Sequence, residues 1–141
     1  MSDIITAGSR VLVVDDTPEN VELLSAILDM EGFEVITANS GIAALEILEI
    51  SLPDIILLDI IMPGIDGIET CKRIKQDLDW AKIPVIFLSA LSDIDHKLQG
   101  FEAGGQDYIT KPFQLEEVVA RINTHLRLRK LEVERQVHIE S

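Results

Sequence analysis

The sequence runs to 141 residues, of which 47% are hydrophobic, and its 12 basic against 25 acidic residues leave a formal net charge of −13. That length fits one domain with a real core, and that apolar content excludes a disordered chain. The charge argues against DNA, RNA or an anionic membrane as a partner, and leaves a cation site, basic protein surfaces and plain solubility as its uses.

In chain order, residues 1–9 have neither a basic start nor a long apolar centre, so they predict a flexible N-terminus and no signal peptide. Arg10-Val11-Leu12-Val13-Val14 reads as a first strand that ends in Asp15-Asp16. Thr17 is placed to cap a helix with Pro18 in its first position, where a missing N–H costs nothing. Val21, Leu24, Ile27 and Leu28 repeat at helical spacing up to a stop at Gly32. Phe33 to Thr37 predicts strand two, and Ser40 caps a second helix with Ala43, Ala44, Ile47 and Leu48 inward.

Pro53 to Gly67 is the most informative stretch. Its run of isoleucine and leucine reads as a strand buried on both faces, and it stops at a single carboxylate, Asp59. Asp59 also interrupts the longest apolar run, so no stretch reaches the roughly 18–20 residues of a membrane span. Asp66 and Glu69 have capping-box spacing for a third helix to about Leu78, on which the single cysteine, Cys71, is read as a packing residue suited to a reducing cytosol. Pro84 to Leu88 gives strand four, ending in Ser89-Ala90. Ser92 or Asp93 starts a helix that carries Leu98 and Phe101 and stops at Gly104-Gly105. Gln106 to Thr110 is strand five, followed by Lys111-Pro112-Phe113 and a last helix from the poor cap Gln114, with Leu115, Val118, Val119, Ile122 and Leu126 on one side.

Five β–α repeats with continuous apolar strands predict an α/β fold, a doubly wound five-stranded parallel sheet with helices on both faces; right-handed crossovers leave few topologies, and the flavodoxin-like order 2-1-3-4-5 is the one expected. All strand ends then lie on one edge, where Asp15-Asp16, Asp59, Ser89 and Lys111 converge. Three carboxylates in one pocket repel one another, and a hard divalent ion such as Mg²⁺ relieves this. With a lysine and a hydroxyl beside it, that set suits a phosphoryl group carried on an aspartate.

These motifs resemble the receiver domain of bacterial two-component response regulators. The resemblance rests on Val13-Val14-Asp15-Asp16, Leu58-Asp59-Ile60-Ile61-Met62-Pro63-Gly64-Ile65-Asp66-Gly67, Leu88-Ser89-Ala90 and Asp107-Tyr108-Ile109-Thr110-Lys111-Pro112-Phe113, and it spans Arg10 to Leu126. It implies that Asp59 accepts a phosphoryl group from the phosphohistidine of a sensor histidine kinase or phosphotransfer protein. It further implies Mg²⁺, with Mn²⁺ as a substitute, held by Asp16, Asp59 and the Ile61 main-chain carbonyl, with Asp15 helping partly through water. Ser89 and Lys111 would bind phosphoryl oxygens, Tyr108 would be the aromatic switch, and the Lys111–Pro112 peptide would be cis. The implied role is a cytoplasmic phosphorylation switch that is not an enzyme toward outside substrates. It would act through its helix 4–strand 5–helix 5 face on an output domain or protein, or on a second copy of itself.

The chain departs from the family's commonest pattern at several places. Serine stands at position 89 where threonine is frequent, and Ile61 and Leu91 are apolar where a polar side chain would orient water, which predicts slow self-hydrolysis of the acyl phosphate. His96, His125 and His138 have no partner at metal-ligand spacing and read as surface or helix-face residues. Residues 127–141 lack glycine and proline and predict a helical extension or linker, either a solvated helix or a coiled-coil-like lever. Three other readings compete with the switch: a Mg²⁺-dependent phosphohydrolase of haloacid dehalogenase type, a flavodoxin-like cofactor carrier, and a pseudo-receiver that has lost phosphorylation. The first needs an aspartate two residues after its nucleophile, where Ile61 stands; the second needs a hydroxyl-rich loop in place of Asp15-Asp16.

Overall fold

A computed structural model describes residues 6–90 and 94–140. The elements are β1 (Arg10–Val14), α1 (Pro18–Met30), β2 (Glu34–Ala38), α2 (Gly41–Leu48), β3 (Ile55–Asp59), α3 (Gly67–Gln76), β4 (Val85–Ser89), α4 (Ile94–Glu102), β5 (Asp107–Thr110) and α5 (Leu115–Glu140). The five strands form one parallel sheet in the order β2-β1-β3-β4-β5, as expected from the sequence.

Strand side chains alternate between faces, and the two faces have separate cores. Leu12, Val14, Ile56, Leu58, Val85, Phe87 and Tyr108 pack against Ala44 and Leu48 of α2 and Ile68, Cys71 and Ile74 of α3. Val11, Val13, Ile55, Leu57, Ile86, Leu88 and Ile109 pack against Leu24, Ile27 and Leu28 of α1 and Val118, Ile122 and Leu126 of α5. Every residue of β3 and of β4 is buried, which is why both strands read as unbroken apolar runs.

Several local expectations needed correction. Thr17 sits at the N-cap of α1, but its side chain makes no capping bond: the Asn20 N–H bonds the Thr17 carbonyl, and the Thr17 N–H itself goes to the Asp15 carboxylate. Ser40 and Asp66 cap as expected, accepting from Ala43 N and Glu69 N. Helix α3 stops at Gln76, short of Leu78, because the Asp77 carboxylate takes the N–H groups of Asp79 and Trp80 and offers the backbone a turn in place of the helix. Leu115 lies at the surface and does not join Val118, Ile122 and Leu126 in the core, and on α4 both Leu98 and Phe101 are exposed. Ser92, Asp93 and Leu91 lie outside the described residues, as does the side chain of His138. Cys71 is fully buried, and burial pushes its thiol up to about 11, which makes it an inert packing residue.

At the N-terminal side Thr6 is buried, with its hydroxyl bonded to Asn123 of α5, and Ser9 is buried. Helix α5 is continuous over 26 residues, about 39 Å. Leu126 is its last buried apolar residue among those described; Leu128, Leu131 and Val133 face solvent. Among the described residues no helix is long and apolar enough to cross a membrane.

Candidate functional site

The carboxyl edge of the sheet gathers the polar residues that close its strands or directly follow them. Asp15 follows β1 and its N–H bonds the Ala38 carbonyl at the end of β2, at 3.2 Å. Asp59 closes β3, pairs in register with Leu88, and precedes an Ile60 N–H bonded to the Leu88 carbonyl. The loop that follows returns at once: the Gly67 N–H bonds the Ile60 carbonyl at 2.8 Å, and a Cβ on Gly67 would strike the Asp59 carbonyl oxygen. Glycine is therefore required there for α3 to start against the end of β3. Lys111 is fixed from the other side, its N–H bonding the Ser89 carbonyl at 2.8 Å, ahead of a cis Lys111–Pro112 peptide.

This frame brings Asp15, Asp16 and Asp59 together, each offering a carboxylate oxygen within 4.8 Å of the others. Asp15 and Asp59 are buried and Asp16 is exposed, so the cluster has two fixed members and one at its mouth. Lys111 Nζ lies 3.2 Å from Asp59 Oδ1 and 3.8 Å from Asp15 Oδ2. One ammonium does not neutralise the cluster. Burial, together with the neighbouring Asp15 charge, raises Asp59 to about 6 against the pull of Lys111 in the other direction.

The donor set fits a hard divalent cation, which takes carboxylate oxygens and water and would relieve the repulsion. A second sign is Ser89, whose fully buried hydroxyl has no hydrogen-bond partner among the described residues. A buried hydroxyl left unpaired is costly, and at a strand end beside a cation site it is a ready donor for an incoming oxygen. A cleft of about 500 Å³ opens beside Asp15 and Asp16, between the first turns of α1 and α2.

Tyr108 lies away from this edge, on the α2–α3–α4 side of the sheet. Its ring is buried, 5.4 Å from Phe87 and edge-on to Phe101 at 5.0 Å, with Lys97 Nζ 5.6 Å from its centre. The hydroxyl donates to the Lys97 carbonyl of α4, with the His96 carbonyl 3.3 Å away. A Cβ on Gly100 would strike that hydroxyl, so this glycine makes the notch the phenol occupies. Register links this pocket to the acidic edge: Phe87 faces Tyr108 and Ser89 faces Thr110 across β4 and β5.

Two arrangements escaped the sequence reading. Asn20, on the first turn of α1, donates its amide to Asp15 Oδ2 at 3.1 Å; its signal was only an amide five residues after an acid. His125, read as a surface or helix-face residue with no partner at metal-ligand spacing, has Nε2 2.9 Å from Asp107 Oδ2, and Arg121 bonds both Asp107 oxygens at 2.9 and 3.0 Å. The sequence shows Arg121 and His125 four apart on one helix, but only the β5–α5 packing brings Asp107 to them.

The chain matches the family described as "Response regulator receiver domain" over residues 11–123. It is 42% identical over 118 residues to the DNA-binding dual master transcriptional regulator RpaA of Synechocystis, covering 84% of this chain and 49% of that protein. To the response regulator PleD of Caulobacter vibrioides it is 43% identical over 122 residues, covering 86% of this chain and 27% of the relative. The chain thus spans half or less of the length of these relatives. Among solved structures, the signal receiver domain of a signal transduction histidine kinase from Syntrophus aciditrophicus superposes with a TM-score of 0.80 at 32% identity, covering 85% of this chain and 91% of that one. The Francisella response regulator 1452 receiver domain gives 0.77 at 32% identity, covering 85% and 98%. With the family match over residues 11–123 and relatives above 30% identity in both sequence and solved structure, the chain belongs to the response regulator receiver family.

Proposed function

We propose that Asp59 is the phosphoacceptor of this receiver. A carboxylate oxygen of Asp59 attacks the phosphorus of a phosphohistidine on a sensor histidine kinase or phosphotransfer protein; the P–N bond breaks and the imidazole leaves with its electron pair. The observation that carries this reading is the cluster itself: three carboxylates within 4.8 Å, a lysine 3.2 Å from Asp59, and a buried serine hydroxyl with no partner among the described residues. Asp16, Asp59 and the Ile61 carbonyl would hold Mg²⁺ or Mn²⁺, with Asp15 assisting, and the ion would supply charge neutralisation for the incoming phosphoryl oxygens. Lys111 pairs with one phosphoryl oxygen, and the Ser89 hydroxyl donates to another.

That new bond at Ser89 is the origin of the switch. Moving the end of β4 acts through the Ser89–Thr110 and Phe87–Tyr108 pairs on the Tyr108 pocket and α4, biasing two pre-existing arrangements of the α4–β5–α5 face. In this reading residues 10–126 are the receiver, residues 1–9 its lead-in, and residues 127–141 an extension that carries the signal on. The receiver serves an output domain or protein, or a second copy of the chain, in the cytoplasm. It catalyses only its own phosphotransfer and dephosphorylation.

The test incubates wild type and Asp59→Asn with Mg²⁺ and acetyl phosphate and reads intact mass. A single phosphate adduct on the wild type and none on the variant is expected; an adduct on both removes Asp59 from the role. Multiple turnover on a phosphate ester would instead favour a phosphohydrolase. Ile61, with its side chain about half exposed beside the acceptor, offers no polar atom to orient an attacking water. Ile61→Asn is therefore expected to shorten the life of the adduct, and an unchanged decay rate would remove that explanation for a persistent mark.

A further inference from the structure

Asp15 is held more closely than either other carboxylate of the site. Its Oδ1 accepts the Thr17 N–H at 2.9 Å and its Oδ2 accepts the Asn20 amide at 3.1 Å. An ionised carboxylate only accepts, so it is the amide nitrogen that faces it. Lys111 Nζ, the next donor to Oδ2, stands at 3.8 Å and is nearer to Asp59, at 3.2 Å.

The geometry points to Asn20 as a positioning residue of the phosphoacceptor site: its amide satisfies buried Asp15 from the α1 side and leaves the Lys111 ammonium to Asp59. This rests on the reading of the carboxylates as a Mg²⁺ site serving Asp59. A buried carboxylate deprived of a donor recruits the nearest other one, and here that is Lys111. Without Asn20, Lys111 is drawn toward Asp15 and away from Asp59, and Asp15, fixed by one oxygen only, turns in the site. A neutral amide is the side chain that can hold Asp15 without changing the charge balance. Lysine or arginine there would compete with the cation, and aspartate would add a fourth negative group.

The test measures Mg²⁺ affinity by calorimetry on the whole chain without any phosphodonor, for wild type, Asn20→Leu and Asn20→Ala. Both replacements are better helix formers than asparagine, so α1 is not weakened by them. Outer-shell partners of metal ligands commonly contribute tenfold or more to affinity, and a loss of roughly tenfold is expected in both variants. Because the amide acts through Asp15, the loss should vanish when the same substitutions are made on Asp15→Asn, titrated to saturation. Affinity within about twofold of wild type, tighter binding, or an equal loss in the Asp15→Asn background overturns the assignment. Absence of Mg²⁺ binding by the wild type is a different result, and it overturns the cation site itself.

Discussion

The two edges of the sheet are built from similar side chains and do opposite things with them. At the amino edge, charged groups are fastened to the backbone. Lys75 donates to the Ala81 and Ile83 carbonyls at 3.0 and 2.7 Å, Arg129 of α5 reaches the Asp54 carbonyl at 2.8 Å, and the Asp54 carboxylate accepts the Arg10 N–H at 2.7 Å. These bonds tie α3 to the approach of β4, and α5 to the approach of β3. At the carboxyl edge, Asp15 and Asp59 share one lysine with the Asp16 carboxylate beside them, and among the described residues a buried hydroxyl goes without a partner. The first edge stabilises the fold; the second gives up stability that a cation and a phosphoryl group can restore. Polar residues at strand ends are thus no guide to stability until their partners are known.

Substitutions separate the two edges, and the largest effect belongs to Asp59. Asp59→Asn should abolish the phosphate adduct and yet stabilise the free protein near neutral pH by on the order of 1–3 kcal/mol, because a carboxylate raised to about 6 is ionised there at a cost. The sign follows from proton linkage: between the ordinary value of 3.8 and about 6 the folded state binds more protons than the unfolded state. The contribution of Asp59 to stability is therefore complete below the lower value and is lost as pH rises through the upper one. Denaturant melts at pH 4 and pH 7 should show variant and wild type closest at the acid end, and the reverse order would remove the frustration ascribed to this edge. At limiting Mg²⁺, phosphorylation of the wild type should fall as pH drops below about 6, with a midpoint that moves lower as Mg²⁺ is raised.

Lys75→Met should cost about 1–2 kcal/mol, since it leaves two carbonyls without their donor, while leaving the extent of phosphorylation unchanged. Mg²⁺ at ten times its dissociation constant should raise wild-type stability by about 1.4 kcal/mol in thermal or denaturant unfolding, with little effect on Asp59→Asn. Arg129→Ala, at the far end of the molecule, should cost about 1 kcal/mol and leave Mg²⁺ affinity as it was. Loss of cation binding in Arg129→Ala would mean that the edges are coupled and the contrast is too sharply drawn.

Much of this was readable before folding because it depends on short-range pattern. Continuous apolar runs such as Ile55 to Leu58 specify strands covered on both faces, and the Ser40 and Asp66 caps are local chemistry confined to a few residues. Right-handed crossovers then place Asp15, Asp16, Asp59, Ser89 and Lys111 on one edge with almost no freedom left. The miss at Leu115 arose because helical spacing identifies a face but not where along the helix that face leaves the core, and the Thr17 cap failed because the Asn20 N–H that its side chain would accept bonds the Thr17 carbonyl.

By itself, then, the sequence determined five parallel β–α units and which residues end up along the carboxyl edge, because periodicity and chirality act through neighbours in the chain, and it narrowed the strand order to a few. Only the tertiary structure decided which partners the polar groups take: at the carboxyl edge Asn20 on Asp15 and Lys111 nearer Asp59 than Asp15, and elsewhere Asp107 between Arg121 and His125 and the Tyr108 hydroxyl in the notch at Gly100. Hydrogen bonds and charge pairs are settled over a few ångströms between separate elements, and residue spacing along a chain does not encode distances of that kind.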